Sequence, residues 1–241
     1  MIDLSKGYIE FQYIKDFATV PTLATLDGET KVTYYEELLA KSLIERAKQR
    51  NPDCEDIQSK VFPYIKYILE WLRNGDFYTC PASTKYHDSC YAGLLTHTLS
   101  AYNQLVDLRT VYKFREVVEH QWWSAVFSIL VHDWCKIGRY ESYWKNVKDD
   151  KTGEWNQVSA YKYKEDSVGR LGHATQSLVM AMQLCNSKYT SLTFEEMSAI
   201  RWHMDNWDMT TYDAVDLQQC NERIPMVRMI QFADQLAVTE Y

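Results

Sequence analysis

The His132-Asp133 pair closes a strongly apolar stretch, and four more side chains of metal-ligand type, His97, His173, His203 and Asp234, recur on the inner faces of other helical patterns. Any fold of this chain has to satisfy these groups, because a buried carboxylate without a cation or a donor is costly. Neutral imidazoles and carboxylates converging from several elements do so around divalent metal ions, with one carboxylate shared between two ions and waters filling the remaining positions. The pattern therefore points to helices packed around a binuclear centre and to metal-assisted hydrolysis.

The chain of 241 residues is 46% hydrophobic, enough to bury a substantial core in one compact domain. A formal net charge of -7 argues against a protein that wraps long nucleic acid, which draws on clustered Lys and Arg. A small anionic substrate held by metal ions is compatible with it. The six cysteines form no CxxC pair, as expected of reduced thiols in an intracellular protein. Neither a leader segment nor an apolar run of membrane-spanning length is apparent, so the expected location is cytoplasmic, away from membranes.

Residues 1–31 show no clear periodicity and are expected to be irregular. Thr33 and Glu36 form a capping-box signal for a helix from Tyr34 to Arg50. A second helix is expected from Asp56 to Arg73, and 76–92 has the composition of a loop. In Gly93 to Leu108, Leu94, His97, Ala101 and Leu105 share one stripe, which turns His97 inward. Glu116 to Lys136 reads as one central helix with His132 and Asp133 in its last turn and a stop at Gly138. Two aromatic, β-prone arms then flank a Gly-containing loop at 149–153, predicting a β-hairpin over 140–165. A helix follows Gly172, with His173, Ser177, Met180 and Leu184 on one face. Thr193 and Glu196 form a second capping box, with Leu192 and Met197 as its staple, for a helix carrying Ala199, Ile200 and His203. Pro225 opens the last helix, where Asp234 lines up with Val227, Ile230 and Ala237. The expected fold class is all-α: a helical bundle with a small β-hairpin insertion. Residues 1–75 are expected as an N-terminal helical extension packed on a core domain of 76–241.

A lone inward histidine is usually a hydrogen-bonded core residue. Here four of six histidines and two aspartates take that position on five helical segments. Their order, with the strings PASTKYHDSCYAGLLTHTL, LVHDWCKIGRY, LGHATQS, AIRWHM and FADQLA, resembles the HD-domain superfamily of metal-dependent phosphohydrolases, over roughly residues 76–240. The strings are similar to the small HD hydrolases of bacteria and their phages, and more distantly to HD exoribonucleases and cyclic-dinucleotide phosphodiesterases. The resemblance implies an HD-type helical bundle in which His97, His132, Asp133 and Asp234 bind one metal. Asp133 would bridge to a second ion held by His173 and His203.

Members of the superfamily use manganese, iron, cobalt, nickel, magnesium or zinc, and the N/O donor set suits several of these. Lys136 matches a Lys that often follows the doublet and would contact a phosphate oxygen; a helix-terminal Lys answering the dipole is the alternative. Lys85 and His87 are candidates for phosphate binding or for proton donation to the leaving group. An exposed Lys and a loop-packing His would explain them equally. Asp133, Lys136 and His87 are thus the candidate catalytic residues, and Lys85 and Lys136 the candidate substrate contacts. Gln176 and Ser177 are candidates for orienting an imidazole. Arg201 and Asp205 read as surface pairs. Trp144, Trp155 and Tyr161 read as cross-strand packing, with stacking on a nucleobase as the alternative.

The expected activity is hydrolysis of a phosphoester in a nucleotide or small nucleotide derivative. The competing readings are a 3′-5′ exonuclease on short RNA or single-stranded DNA and a non-catalytic nucleotide-binding sensor.

Overall fold

The computed structural model describes residues 1–14, 21–165, 171–205 and 213–238. The first helix, α1 (Gly28–Arg50), starts six residues before the expected Tyr34, because Asp27 caps it by accepting the Thr30 N–H at 2.7 Å. Thr33 therefore sits inside the helix, where its hydroxyl donates to the Glu29 carbonyl, and its partner in the expected capping box, Glu36, is buried elsewhere. Glu36 pairs with Arg73 of α2 (Ile57–Asn74) at 2.7 Å and accepts the Ile2 N–H. Glu37 accepts the N–H groups of Gln12, Tyr13 and Ile14. These two carboxylates fix the irregular segment 1–14 against α1, since each buried charge needs donors.

The loop 76–92 folds back on the start of α3 (Gly93–Asp107) through backbone bonds from Ala92 to Thr79, Leu94 to Cys80 and Ala82 to Asp88. Asp88 and Ala92 adopt positive φ there. Gly93 is required by close approach: a Cβ would lie 2.0 Å from the Asp88 carbonyl oxygen.

The single central helix expected over 116–136 is instead three pieces. They are α4 (Arg115–His120), α5 (Trp122–Val131) and a 3-10 turn over Trp134–Lys136. Val117 and Trp122 are both buried yet five residues apart, about 140° around a continuous helix, and the break at Gln121 lets both face the core. His132 caps the end of α5 and Asp133 lies just beyond it, outside the last helical turn.

The hairpin pairs β1 (Tyr140–Lys148) with β2 (Trp155–Tyr163) in antiparallel register, Tyr140 opposite Tyr163 and Lys148 opposite Trp155. Gly153 supplies the positive φ of its loop, and Asp149 accepts from Lys151 and Thr152.

Beyond Gly172 come α6 (His173–Leu184), α7 (Phe194–Arg201), α8 (Asp213–Arg223) and α9 (Pro225–Val238). The capping box of Thr193 and Glu196 forms as expected. α8 has no expected counterpart, because Leu217 is its one buried residue and leaves no apolar stripe to read. His203 also departs from expectation: α7 ends at Arg201, so His203 belongs to the turn that follows. α3, α5, α7 and α9 pack against one another, and α1 covers α5 and α2. One hydrophobic cluster runs from Ile2 to Ala237. Among the described residues no helix is long and apolar enough to cross a membrane.

Glu196 also binds α7 to α1, with Arg46 at 2.5 Å and Arg50 at 2.9 Å, both Arg46 and Glu196 being fully buried. Burial opposes ionisation of Glu196, but the two guanidiniums outweigh it and hold its pKa below the ordinary 4.5. The pair's contribution is therefore present above pH 4.5 and is lost as pH falls through the depressed folded value. Glu196→Ala should cost about 3–5 kcal/mol, since it strands a buried guanidinium, read by urea denaturation at pH 7. The difference from the unsubstituted chain should shrink in acid. Gly93→Ala should be destabilising by about 1–3 kcal/mol through the clash with the Asp88 backbone; an unchanged melting temperature would contradict that reading of the loop.

Candidate metal centre

The six side chains of the sequence pattern come together. Three overlapping trios, His97, His132 and Asp133, then His132, His203 and Asp234, then Asp133, His173 and His203, each place their ligand atoms within 4.8 Å of one another. The donors come from α3, from the end of α5, from the start of α6, from the turn after α7 and from α9.

Two helix ends position histidines by the same device. His132 Nδ1 donates to the Ile129 carbonyl at 2.7 Å and His203 Nδ1 to the Ile200 carbonyl at 2.8 Å. A carbonyl oxygen only accepts, so each Nδ1 carries a hydrogen and each Nε2 faces inward, where it holds a lone pair or a second proton. The last turn of each helix has unsatisfied carbonyls to offer, and both C-termini turn the negative end of the dipole toward the cluster. Gln231 of α9 fixes the turn carrying His203 by donating to the Trp202 carbonyl. Ser177, expected to orient an imidazole, instead accepts the Cys135 N–H at 3.1 Å and so holds the backbone two residues past Asp133.

Asp133 is 3% exposed and turns its two oxygens to different partners. Oδ1 lies 2.5 Å from His173 Nε2 and 3.8 Å from His203 Nε2. Oδ2 lies 2.5 Å from Lys136 Nζ, 3.4 Å from His132 Nε2 and 3.5 Å from His97 Nε2. Asp234 Oδ1 approaches His97 at 3.0 Å and His132 at 3.4 Å. Burial opposes the charge on Asp133, yet Lys136, His132 and His173 depress its pKa well below the carboxylate range. Burial likewise opposes ionisation of Asp234, where hydrogen bonds from His132 and His97 win.

The donor set fits a cation on two further observations. His203 Nε2 is buried without a hydrogen-bond partner among the described residues. His97 Nε2 and His132 Nε2 stand 3.3 Å apart, a distance at which two lone pairs repel unless a proton or a metal lies between. With the carboxylates as partners, a proton fills that role. Burial resists it, but Asp133 and Asp234 raise His132 to about 10, and Cys135 and Asp133 raise His173 to about 10. His203 goes the other way, to about 3, through burial and the neighbouring His132.

Lys136 is buried and charged against Asp133, with the pull of Asp133 overcoming burial. His87 packs its ring 4.8 Å from that of His97, and its Nε2 is buried without a hydrogen-bond partner among the described residues. Burial, His97 and Lys136 push its pKa down to about 4, so the ring is neutral at pH 7 and holds no reserve proton. Lys85 stays on the exposed loop with its ammonium against the Tyr86 ring. Arg201 stacks on Trp202 and reaches Asp213 at 3.8 Å, so its acidic partner is not Asp205. Cys135 also borders the centre beside His173, and the Arg139 guanidinium donates to its sulfur at 3.7 Å. Nothing in their spacing marks them apart from their nearness to the doublet.

Comparison of the chain with family models, with curated proteins and with solved structures finds no match. The site therefore rests on its own geometry. The purified chain should bind about one to two equivalents of a divalent ion by elemental analysis, and Asp133→Ala should lose that content. Saturating manganese at about a hundredfold over its Kd should stabilise the fold by about 2.7 kcal/mol, seen as a higher melting temperature that EDTA reverses. A melting temperature indifferent to both would argue against the centre.

Proposed function

We propose that this chain is a metal-dependent phosphohydrolase of the HD type, cleaving a phosphoester in a nucleotide or small nucleotide derivative. The observation that carries the proposal is the divided carboxylate of Asp133, one oxygen toward His173 and His203 and the other toward His97 and His132. That is the arrangement a carboxylate needs to serve two cations at once. His97, His132, Asp133 and Asp234 form one donor set and Asp133, His173 and His203 the other. Bound divalent ions would supply Lewis acidity toward the phosphoryl oxygens and a water acidified toward neutral pH.

In the overall reaction a water oxygen bonds to phosphorus, the bond from phosphorus to the leaving oxygen breaks, and a water proton ends on that oxygen. Within it, Lys136 holds a non-bridging phosphate oxygen as a compact charge, released toward substrate from its place on Asp133. His87, neutral and with an unpartnered Nε2, makes a hydrogen bond to substrate and does not supply the leaving-group proton. Asp133, Trp134 and Cys135 are buried behind the centre, which strengthens each of these contacts, while His173 and Asp234 keep the partial exposure through which water and substrate would enter.

With manganese or cobalt the chain should hydrolyse members of a panel of nucleoside mono- and triphosphates, cyclic dinucleotides and generic phosphodiesters, and Asp133→Ala should be inactive. Absence of turnover across the panel in a metal-loaded protein would overturn the proposal, and tight nucleotide binding without product would make the chain a sensor. Lys136→Ala should lower kcat about 10²–10³-fold, the usual effect of removing a donor to developing charge. His87→Ala should lose only about tenfold, as for a neutral hydrogen bond. A loss of about 10²–10⁴-fold, confined to substrates with poor leaving groups, would restore it as a proton donor.

A further inference from the structure

The hairpin separates its side chains by the period-two rule of strands, and one face collects Tyr140, Trp144, Trp155, Tyr161 and Tyr163. Cross-strand packing accounts for Tyr140 and Tyr163, whose rings lie 5.2 Å apart. It does not account for the tryptophans. Trp144 stands opposite Ser159 and Trp155 opposite Lys148, neither has a ring partner among the described residues, and they are 71% and 69% exposed. A two-stranded hairpin is marginal by itself in water, and two bare indoles on one face of it are a binding feature in want of a ligand.

The base of this face lies beside the candidate metal centre, close enough for the Asp133 charge to act on Tyr140. Tyr140, only 7% exposed, follows Lys136 by four residues, and the Arg139 carbonyl accepts the Lys164 N–H at the foot of the hairpin. Tyr161 lies within electrostatic reach of Cys80, Cys90 and Tyr91 in the loop that carries His87. Trp144 is then about 13 Å out along the strand from Tyr140, and Trp155, opposite Lys148, about 26 Å. The charge of the arm differs from that of the chain. Residues 140–164 hold five lysines against four carboxylates in a protein of net charge -7. Of the four, Glu141 is paired with Lys162 and Asp149 is occupied by its own loop. Rings spaced along a weakly basic arm suit successive bases of a flexible polyanion, because every base has a stacking face.

We infer that the hairpin is a stacking platform for a short single-stranded oligonucleotide, laid along the Tyr140–Trp155 face so that one end reaches the metal centre. This rests on the phosphohydrolase proposal for the metal centre but moves its substrate from a small nucleotide to the competing class, a short single strand whose terminal phosphodiester is cleaved.

Binding is measured by fluorescence anisotropy of a labelled hexathymidylate in EDTA, which removes hydrolysis from the readout, with thymidine monophosphate as competitor. The hexamer should bind at least tenfold tighter than the monophosphate and weaken with added salt. Trp144→Ala/Trp155→Ala should lose about thirtyfold in affinity, the lower end for two stacked bases, and Trp144→Phe/Trp155→Phe should recover most of it. Circular dichroism checks that the hairpin variants fold. Hexamer affinity equal to that of the monophosphate, or unchanged in the alanine variant, overturns the inference. So does a shift of the alanine variant from dimer to monomer without loss of hexamer affinity, which would make the arm a contact between two copies of the chain. The manganese-loaded, unsubstituted protein on bis-p-nitrophenyl phosphate tests the hydrolase proposal separately. Failure there leaves the EDTA binding result intact, and the reverse also holds.

Discussion

Two carboxylates, the buried Asp133 and the partly buried Asp234, stand among four imidazoles and one ammonium, and much of the structure is organised to answer their charge. In a low-dielectric interior such groups are tolerated only with strong partners. Lys136 covers one oxygen of Asp133 and His173 the other, while His97 and His132 share Asp234. The nitrogens left over, above all His203 Nε2, have no partner within the described residues. Protons alone leave this cluster with two imidazoles far above their ordinary pKa and one far below it. Bound divalent metal would answer these candidate donors together.

The elements around the cluster act as its frame. α5 and α7 each stop where a histidine can cap its own last turn and still turn Nε2 inward. α7 is anchored far from the site through Glu196, which caps its first turn and takes two arginines from α1. Tyr35 of α1 accepts from Trp134 Nε1 and donates to the Leu130 carbonyl, gripping the chain on both sides of the doublet. The N-terminal helix thus contributes no donor to the centre, yet it braces the two segments that do.

The hairpin stands apart from this frame. Apart from its buried base it adds little to the core, and its exposed indoles cost solubility without contributing packing. Such an arm stands beside a candidate metal centre with its tryptophan rings open to solvent. Its aromatic spacing extends well beyond the reach of one nucleobase.

The sequence by itself determined the helical class, the hairpin with its Gly153 loop, the capping box of α7 and the six side chains that cluster as candidate donors. Each of these depends on local periodicity or local hydrogen bonding, which neighbouring residues carry. It misplaced the start of α1, where Asp27 outcompetes Thr33 as a cap, and ran α4, α5 and the following turn together. Only the tertiary structure decided those breaks, because they let residues such as Val117 and Trp122, or His132 and Asp133, face one direction that a continuous helix would split. It also decided that Ser177 serves a backbone, that Lys85 stays with Tyr86 and that His87 is neutral, since these depend on burial and on neighbours distant in the chain. Donor identity is local chemistry, whereas the direction and charge of each donor are set by what packs against it.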